Sequence, residues 1–466
     1  MKISKVNRLL PFLLIVIHYL VLTQIQFIAW PEMFSYPYLL SKGYLIYKDI
    51  INPYPPILSW ILQAFYIVLG TSLFSLKAIT YIFILITDLL VFKIVKKILN
   101  FQYALFSLLI YILLQSSFEG NGLWFDLALT PILLFCFYIF YNIHKLKDRT
   151  IPKHIYLLGT YLSLAFLIKQ TVGFFVILSG LLITYIFRKN RNLFKFLITY
   201  IISLIVPLLI TSLIVYKNGI FNDYLFWVFR YPFVHLQSTG FKLFPTLKQI
   251  ILLIILLFPL LFFITQKIKV FIISFTGIWF LVSLSFIYPR FSYFHLQPCL
   301  PYIAILISYL LFEIKKVYQK ILIYSYLFII LIIFSYFFSK YFRLEPRFYN
   351  RETINISKRL NNELINAGEV FFYNTSSEFF VIGKLLPSKP WVDTFPWYLE
   401  TKEVQKNIIK ALENNRIEFV VYREFGNETS FTPGSYVPSF LDQYIRNNYQ
   451  QYKKISENIW ILKRKS

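Results

Sequence analysis

The chain alternates apolar runs of roughly 18–22 residues with short polar breaks rich in Lys and Arg. A run of that length crosses about 30 Å of hydrocarbon as helix, and a helix satisfies its own backbone groups inside lipid. The pattern predicts spans at about 10–29, 77–95, 101–116, 124–143, 154–168, 170–187, 196–216, 248–266, 270–288, 302–314 and 321–339. Residues 56–70, after Pro55-Pro56, are apolar but short, and are read as a juxtamembrane helix. Beyond 340 the pattern becomes polar and mixed. Residues 369–373, 417–422 and 459–463 read as strands, and 403–414 as an amphipathic helix. The expected fold is an all-α polytopic membrane domain over 1–339, with about eleven transmembrane helices, and a small α/β extracytoplasmic domain over 340–466. Neither an internal repeat nor a low-complexity linker is visible.

Composition supports this reading. Of 466 residues, 58% are hydrophobic and 15% charged, against about 25% charged in ordinary soluble domains. The net charge of +25 would suit a nucleic-acid binder if it were contiguous. Instead the cations sit between apolar runs, which excludes nucleic acid as the expected partner and matches cytoplasmic loops. With the N-terminus inside, those loops hold Lys2, Lys5, Arg8, Lys93, Lys96, Lys97, Lys145, Lys147, Arg149, Lys153, Arg188, Lys189, Arg191, Lys195, Lys267, Lys269, Lys315, Lys316 and Lys320, against only Asp148 and Glu313. The expected location is a cell membrane, multi-pass, with a cytoplasmic N-terminus and an extracytoplasmic C-terminal domain. Glu32, Asp49, Glu119, Asp126 and Asp223 then share the outer side. The first run lacks a small-residue cleavage site before Trp30-Pro31-Glu32 and reads as a retained helix. Cys136 and Cys299 lie far apart in apolar surroundings, so neither a disulfide framework nor a zinc site is implied.

The first external loop carries the most information. Glu32 and Asp49 bracket a short amphipathic segment, and Asn52-Pro-Tyr-Pro-Pro56 turns the chain into the helix ending at Gly70. Two readings stand side by side: solvated loop acids, or a carboxylate at the membrane face acting as general base on a hydroxyl or amine. An acid after the first helix, Gly43 about ten residues on, Tyr47-Lys48-Asp49, and Pro55-Pro56 leading an apolar helix to Gly70 resemble the first loop of the C-type membrane glycosyltransferases. That superfamily includes the bacterial lipopolysaccharide-core transferases, the aminoarabinose transferases and the protein mannosyltransferases. The resemblance implies a sugar donor on a polyprenyl phosphate, transfer on the external face, and a glycan, lipid or protein acceptor. It also implies an Asp-Glu pair after the first helix. Here the pair is Pro31-Glu32, so the base assignment stays open between Glu32 and Asp49.

Other loops add candidates. Glu119 and Asp126 flank two glycines and Asn121 in the second external loop. Asp126 suits a helix N-terminus on dipole grounds, while the resemblance implies acids near acceptor or sugar. Lys169-Gln170-Thr171 interrupts a long apolar stretch; the lysine either snorkels to the interface or neutralises a lipid-linked phosphate. Arg290 and His295 lie in the last short external loop, where Arg offers bidentate phosphate contacts. The aromatic-rich segment 217–247 reads as interfacial helix, and Asp88, Thr87 and Gln63 as packing residues. No metal ligand set is assigned and no cofactor is required, although a divalent metal stays open. No nucleotide-binding Gly-rich loop is visible. The function the resemblance implies is an inverting glycosyltransferase. A flippase or transporter of lipid-linked sugars would show charges within spans and internal repeats. A structural membrane subunit would be indifferent to loss of the loop acids.

Overall fold

The computed structural model describes residues 5–145, 151–235, 242–261, 271–314, 316–393, 396–399, 401–424 and 437–465. Lys2 and the cationic loops expected at 146–150, 262–270 and 315 lie outside those residues. The first nine helices are α1 (Lys5–Gln24), α2 (Glu32–Ser41), α3 (Ile57–Leu69), α4 (Leu73–Ile98), α5 (Phe101–Ser117), α6 (Phe125–Lys145), α7 (Ile151–Phe166), α8 (Gly173–Phe187) and α9 (Leu193–Lys217). The chain forms two compact units, one from residues 1–28, 77–211 and 244–344, the other from 29–76, 212–243 and 345–466.

The first unit is helical. Among the described residues five helices are long and apolar enough to cross a membrane: Leu73–Ile98, Phe125–Lys145, Gln170–Phe187, Leu193–Lys217 and Tyr318–Tyr341. Several other expected spans form shorter apolar helices, including Leu9–Gln24, Phe101–Ser117, Leu247–Leu260, Ile273–Ile287 and Leu300–Glu313. Pro259 lies in the 3-10 turn Phe258–Leu261, and Ser283 leads the 3-10 turn Leu284–Ile287. The core is aromatic: Trp279 packs against Phe175 and Phe137 at ring-centroid distances of 5.2 and 5.7 Å, and Phe137 meets Tyr302 at 5.7 Å. Asp88, expected to be a packing residue, pairs with His18 at 2.9 Å, and both are fully buried. The other His18 nitrogen meets Gln115 Oε1 at 2.9 Å. These contacts tie α1, α4 and α5 together through polar groups, which are costly in an apolar medium unless paired.

Gln115 also donates to the Gly120 carbonyl at 2.9 Å. A Cβ at Gly120 would lie 2.2 Å from the Gln115 carbonyl oxygen, and one at Gly122 would lie 2.5 Å from that of Ile28, so both positions exclude a side chain. Between them, Asn121 Nδ2 faces the carbonyls of Leu22, Ile25 and Gln26 at 2.9, 3.0 and 3.2 Å. Asn121 thus caps the end of α1 from another loop, satisfying carbonyls that a helix terminus leaves without partners. Asn121→Ala is expected to destabilise the protein by about 1–3 kcal/mol, the cost of buried acceptors left unsatisfied. Denaturant titration in micelles reads this, and an unchanged midpoint would remove the capping role.

The second unit is built on a five-stranded sheet ordered β2-β1-β3-β5-β4. Its strands are β1 (Glu369–Tyr373), β2 (Leu386–Pro387), β3 (Phe419–Arg423), β4 (Tyr449–Ser456) and β5 (Ile459–Arg464). β1 runs parallel to β2 and β3, whereas β5 is antiparallel to β3 and β4. The amphipathic helices Arg351–Leu364 and Lys402–Asn414 bury Ile356, Leu360, Val404 and Ile408. Asn350 caps the first of them by accepting from Thr353 N at 2.8 Å.

The first loop belongs to this unit. Ile51 N donates to the Trp391 carbonyl at 2.9 Å, Trp391 N donates to the Asp49 carbonyl at 2.8 Å, and Tyr38 Oη donates to the Leu385 carbonyl at 3.1 Å. α3 has 13 residues, roughly 20 Å of helix. The segment expected to be interfacial forms Phe221–Tyr224, Leu225–Arg230 and Tyr231–Val234, with Trp227, Val228 and Tyr231 buried in the core of this unit.

Candidate active site

In the second unit, Glu32 occupies the first turn of α2 behind Pro31. The following residues 33–39 are all buried, so the carboxylate enters the protein rather than solvent, and Glu32 is only 5% exposed. Its Oε2 has no hydrogen-bond partner. Two further buried carboxylates lie close enough to repel it, Asp393 and Glu378, at 9% and 1% exposure. Glu378 starts the short helix Glu378–Ile382, and its carboxylate accepts from Ser376 Oγ while Oε1 is unpartnered. Tyr36, one turn after Glu32, donates to Asp393 Oδ2 at 3.4 Å.

Burial and mutual repulsion set the chemistry of this trio. Burial, then the neighbouring Asp393, holds the Glu32 carboxyl well above the usual carboxylate range. Burial lifts Asp393 to about 7, opposed by the Tyr36 hydroxyl. Burial also lifts Glu378 to about 8, opposed by its hydrogen bond from Ser376. Asp393 and Glu378 therefore take up and release protons near neutral pH, which general acid–base chemistry requires.

The same shifts predict a pH dependence of stability. All three groups bind protons more tightly when folded than when unfolded, where carboxyls titrate near about 4. Their stabilising contribution is complete below that pH and is lost as pH rises through the folded values. Thermal stability is therefore expected to fall between about pH 4 and about pH 8, by a few kcal/mol if ionisation is complete. Glu378→Gln should flatten that slope in a thermal-unfolding series, and an equally steep slope in the variant would contradict the assignment.

Asp49 is placed differently. It accepts from Leu45 N at 2.9 Å, closing a turn, and pairs with Lys389 at 3.5 Å.

In the first unit, three of the expected residues converge. Lys169 Nζ lies 2.8 and 2.9 Å from the two oxygens of Asp126, and His295 Nδ1 lies 2.8 Å from Asp126 Oδ2. Asp126 is fully buried in the first turn of α6, which also suits the helix dipole. Burial pushes His295 below its ordinary value, against the pull of Asp126, and the nearby positive charges of Lys169 and Arg290 push the same way as burial. Arg290 is half-buried. Glu119 is also half-buried and has φ +51°, a left-handed conformation uncommon for a side-chain-bearing residue. Among the described residues no group of three or more His, Cys, Asp or Glu side chains is arranged to hold a metal ion.

Residues 53–216 match the family model of the dolichyl-phosphate-mannose-protein mannosyltransferases. Among solved structures, ArnT from Cupriavidus metallidurans bound to undecaprenyl phosphate aligns with a TM-score of 0.64 and 11% identity, covering 97% of this chain and 97% of that one. The chain has the C-type glycosyltransferase fold. The archaeal oligosaccharyltransferase AglB from Archaeoglobus fulgidus, in complex with an inhibitory peptide and a dolichol-phosphate, aligns at TM-score 0.54 and 11% identity over 90% of this chain and 70% of that one. The mycobacterial arabinofuranosyltransferase AftD aligns at 0.53 and 11% identity over 98% of this chain and 40% of the longer protein. No curated protein matches in sequence. The resemblance drawn from the first loop is borne out, and so is the expectation of a glycosyltransferase. Of the three buried carboxylates the sequence reading names Glu32 and not Glu378 or Asp393. Their only local signal is an acid set in an apolar context, Ser376-Ser377-Glu378-Phe379-Phe380 and Trp391-Val392-Asp393.

Proposed function

We propose that the protein transfers a sugar from a polyprenyl-phosphate donor to a hydroxyl or amine acceptor on the external membrane face, with Glu32 as general base. The observation that supports this most is the buried Glu32 carboxylate with an unpartnered oxygen and a raised proton affinity. The acceptor oxygen or nitrogen attacks the anomeric carbon, the bond from that carbon to the phosphate oxygen breaks, and the acceptor proton passes to Glu32. Attack opposite the leaving phosphate inverts the sugar carbon.

Asp49 is the weaker candidate for the base, because a turn N–H and Lys389 both hold its Oδ2. Arg290, Lys169 and His295 are proposed as contacts for a lipid-linked phosphate, whose charge grows during transfer and is stabilised by fixed cations. Glu119 and Asp126 are proposed as acceptor or sugar contacts. The structures bound to undecaprenyl phosphate and dolichol-phosphate support the donor class. The matching residues 53–216 and the shared fold favour a transferase over a flippase. The cationic breaks between apolar runs support the external face.

The test is reconstitution of the purified chain in liposomes with a panel of polyprenyl-phosphate sugars and candidate acceptors. Transfer of labelled sugar with release of the polyprenyl phosphate is expected for at least one donor. Movement of intact lipid-linked sugar across the bilayer without transfer would support the flippase reading instead.

A further inference from the structure

At the end of the first unit remote from Glu119 and Asp126, α1 and α4 enclose a groove of about 590 Å³ lined by Pro11, Phe12, Ile15, Leu89 and Phe92, with Lys93, Lys96 and Lys97. That volume lies within the range of small-molecule sites, about 300–1,000 Å³. Its apolar part comes from both helices, and Phe12 and Leu89 are exposed there, as expected of a surface facing acyl chains. Its charged part comes from one turn of α4. Positions i, i+3 and i+4 lie on one helix face, so the three ammonium groups share a rim.

Among the described residues no carboxylate stands within ion-pair distance of Lys93, Lys96 or Lys97. Lys97 donates to the Tyr138 hydroxyl and Asn142 Oδ1 at 2.8 and 3.0 Å. Lys96 lies 5.7 and 5.9 Å over the rings of Phe92 and Phe101. Lys93 is exposed at the rim. The negative end of the α4 dipole favours cations in that turn, which accounts for the charge but not for the apolar groove beneath it. Three like charges on one face repel each other, and an anion placed among them relieves that repulsion.

We propose that this groove binds one anionic glycerophospholipid, with an acyl chain along Phe12, Ile15, Leu89 and Phe92 and the phosphate at Lys93 and Lys96. The loop-charge bias makes it a lipid of the cytoplasmic leaflet, where basic pockets beside transmembrane helices recognise anionic headgroups. The site is separate from the proposed transfer chemistry and does not rest on it.

The purified full chain in neutral detergent micelles is titrated with phosphatidylglycerol or phosphatidylcholine of the same acyl chains, and bound lipid is counted by native mass spectrometry. One phosphatidylglycerol is expected to bind saturably, at least tenfold tighter than phosphatidylcholine, and to raise the melting temperature where phosphatidylcholine does not. Lys93→Gln/Lys96→Gln should weaken phosphatidylglycerol by about fivefold per lysine and leave phosphatidylcholine unchanged. Lys93→Arg/Lys96→Arg should retain it, and Ile15→Trp, which fills the groove, should weaken both lipids. Equal binding of the two lipids by the wild type would overturn the site. So would an unchanged double variant, or an equal loss in Lys153→Gln, which lies in a different basic break.

Discussion

Glu32→Gln is expected to lower the rate constant for transfer by about 10²–10⁴-fold, the usual worth of a positioned general base. Glutamine keeps the length and shape of the side chain and removes only its ability to accept a proton. A neutral amide also suits the burial that pushes the Glu32 carboxyl upward. Activity should therefore collapse while thermal stability holds or rises. Asp49→Asn should change the rate less than about fivefold, because the asparagine carbonyl can still accept from Leu45 N and a half-exposed ion pair such as that with Lys389 contributes little. The pH profile gives a further discrimination. A base must be ionised to act, so the wild-type rate should climb with pH along a limb that the glutamine variant lacks. Steady-state transfer in proteoliposomes measures all three. A glutamine variant at full rate would end the assignment of Glu32.

Asp126→Ala is expected to destabilise the first unit by about 3–5 kcal/mol, the cost of breaking a buried ion pair and leaving a charge without compensation. Lys169 is 7% exposed and gives both of its short contacts to the same carboxylate. Without Asp126 its ammonium group has neither that partner nor ready access to water. His295 loses its partner as well. Asp126→Leu combined with Lys169→Met removes both charges together and should recover much of the loss, as apolar replacement of buried pairs often does. Denaturant unfolding of the three proteins measures this. A double variant as unstable as the single one would show that the pair is not what holds the site.

The parts legible in the sequence are those whose signal is local. The short segment that begins at Glu32 and the short helix after Pro56 follow from acids, prolines and apolar periodicity within a few tens of residues. Strand β1 and the helix Lys402–Asn414 were visible for the same reason. Strand β4 was not, because Tyr449–Ser456 is exposed along most of its length and shows no alternation to read. Of the expected spans, five form helices long and apolar enough to cross a membrane among the described residues, and others form shorter apolar helices. Lys169, Asp126 and His295 were singled out one at a time, each for a different reason. Nothing in their separations of 43 and 169 residues announces that they meet. Glu378 and Asp393 were missed because an acid in a polar, mixed domain looks ordinary until its burial is known.

The weaving of the first loop into the sheet unit bears on the birth of the protein. Tyr36 and its partner Asp393 are separated by 357 positions. At about 5–20 residues per second of synthesis, roughly 20 to 70 s pass between their appearances. Throughout that interval Tyr36 and Tyr38, both buried in the finished protein, lack their late-made partners Trp391, Asp393, Phe380 and Leu385. The nascent chain must hold an unsatisfied aromatic segment while its later helices are still being inserted. The last strand to be made, β5, lies between β3 and β4 in the sheet, so the sheet cannot close until synthesis is nearly over. Premature termination before Leu385 would leave a membrane-inserted chain whose earliest loop lacks its partners Leu385, Trp391 and Asp393, a natural substrate for quality-control proteolysis.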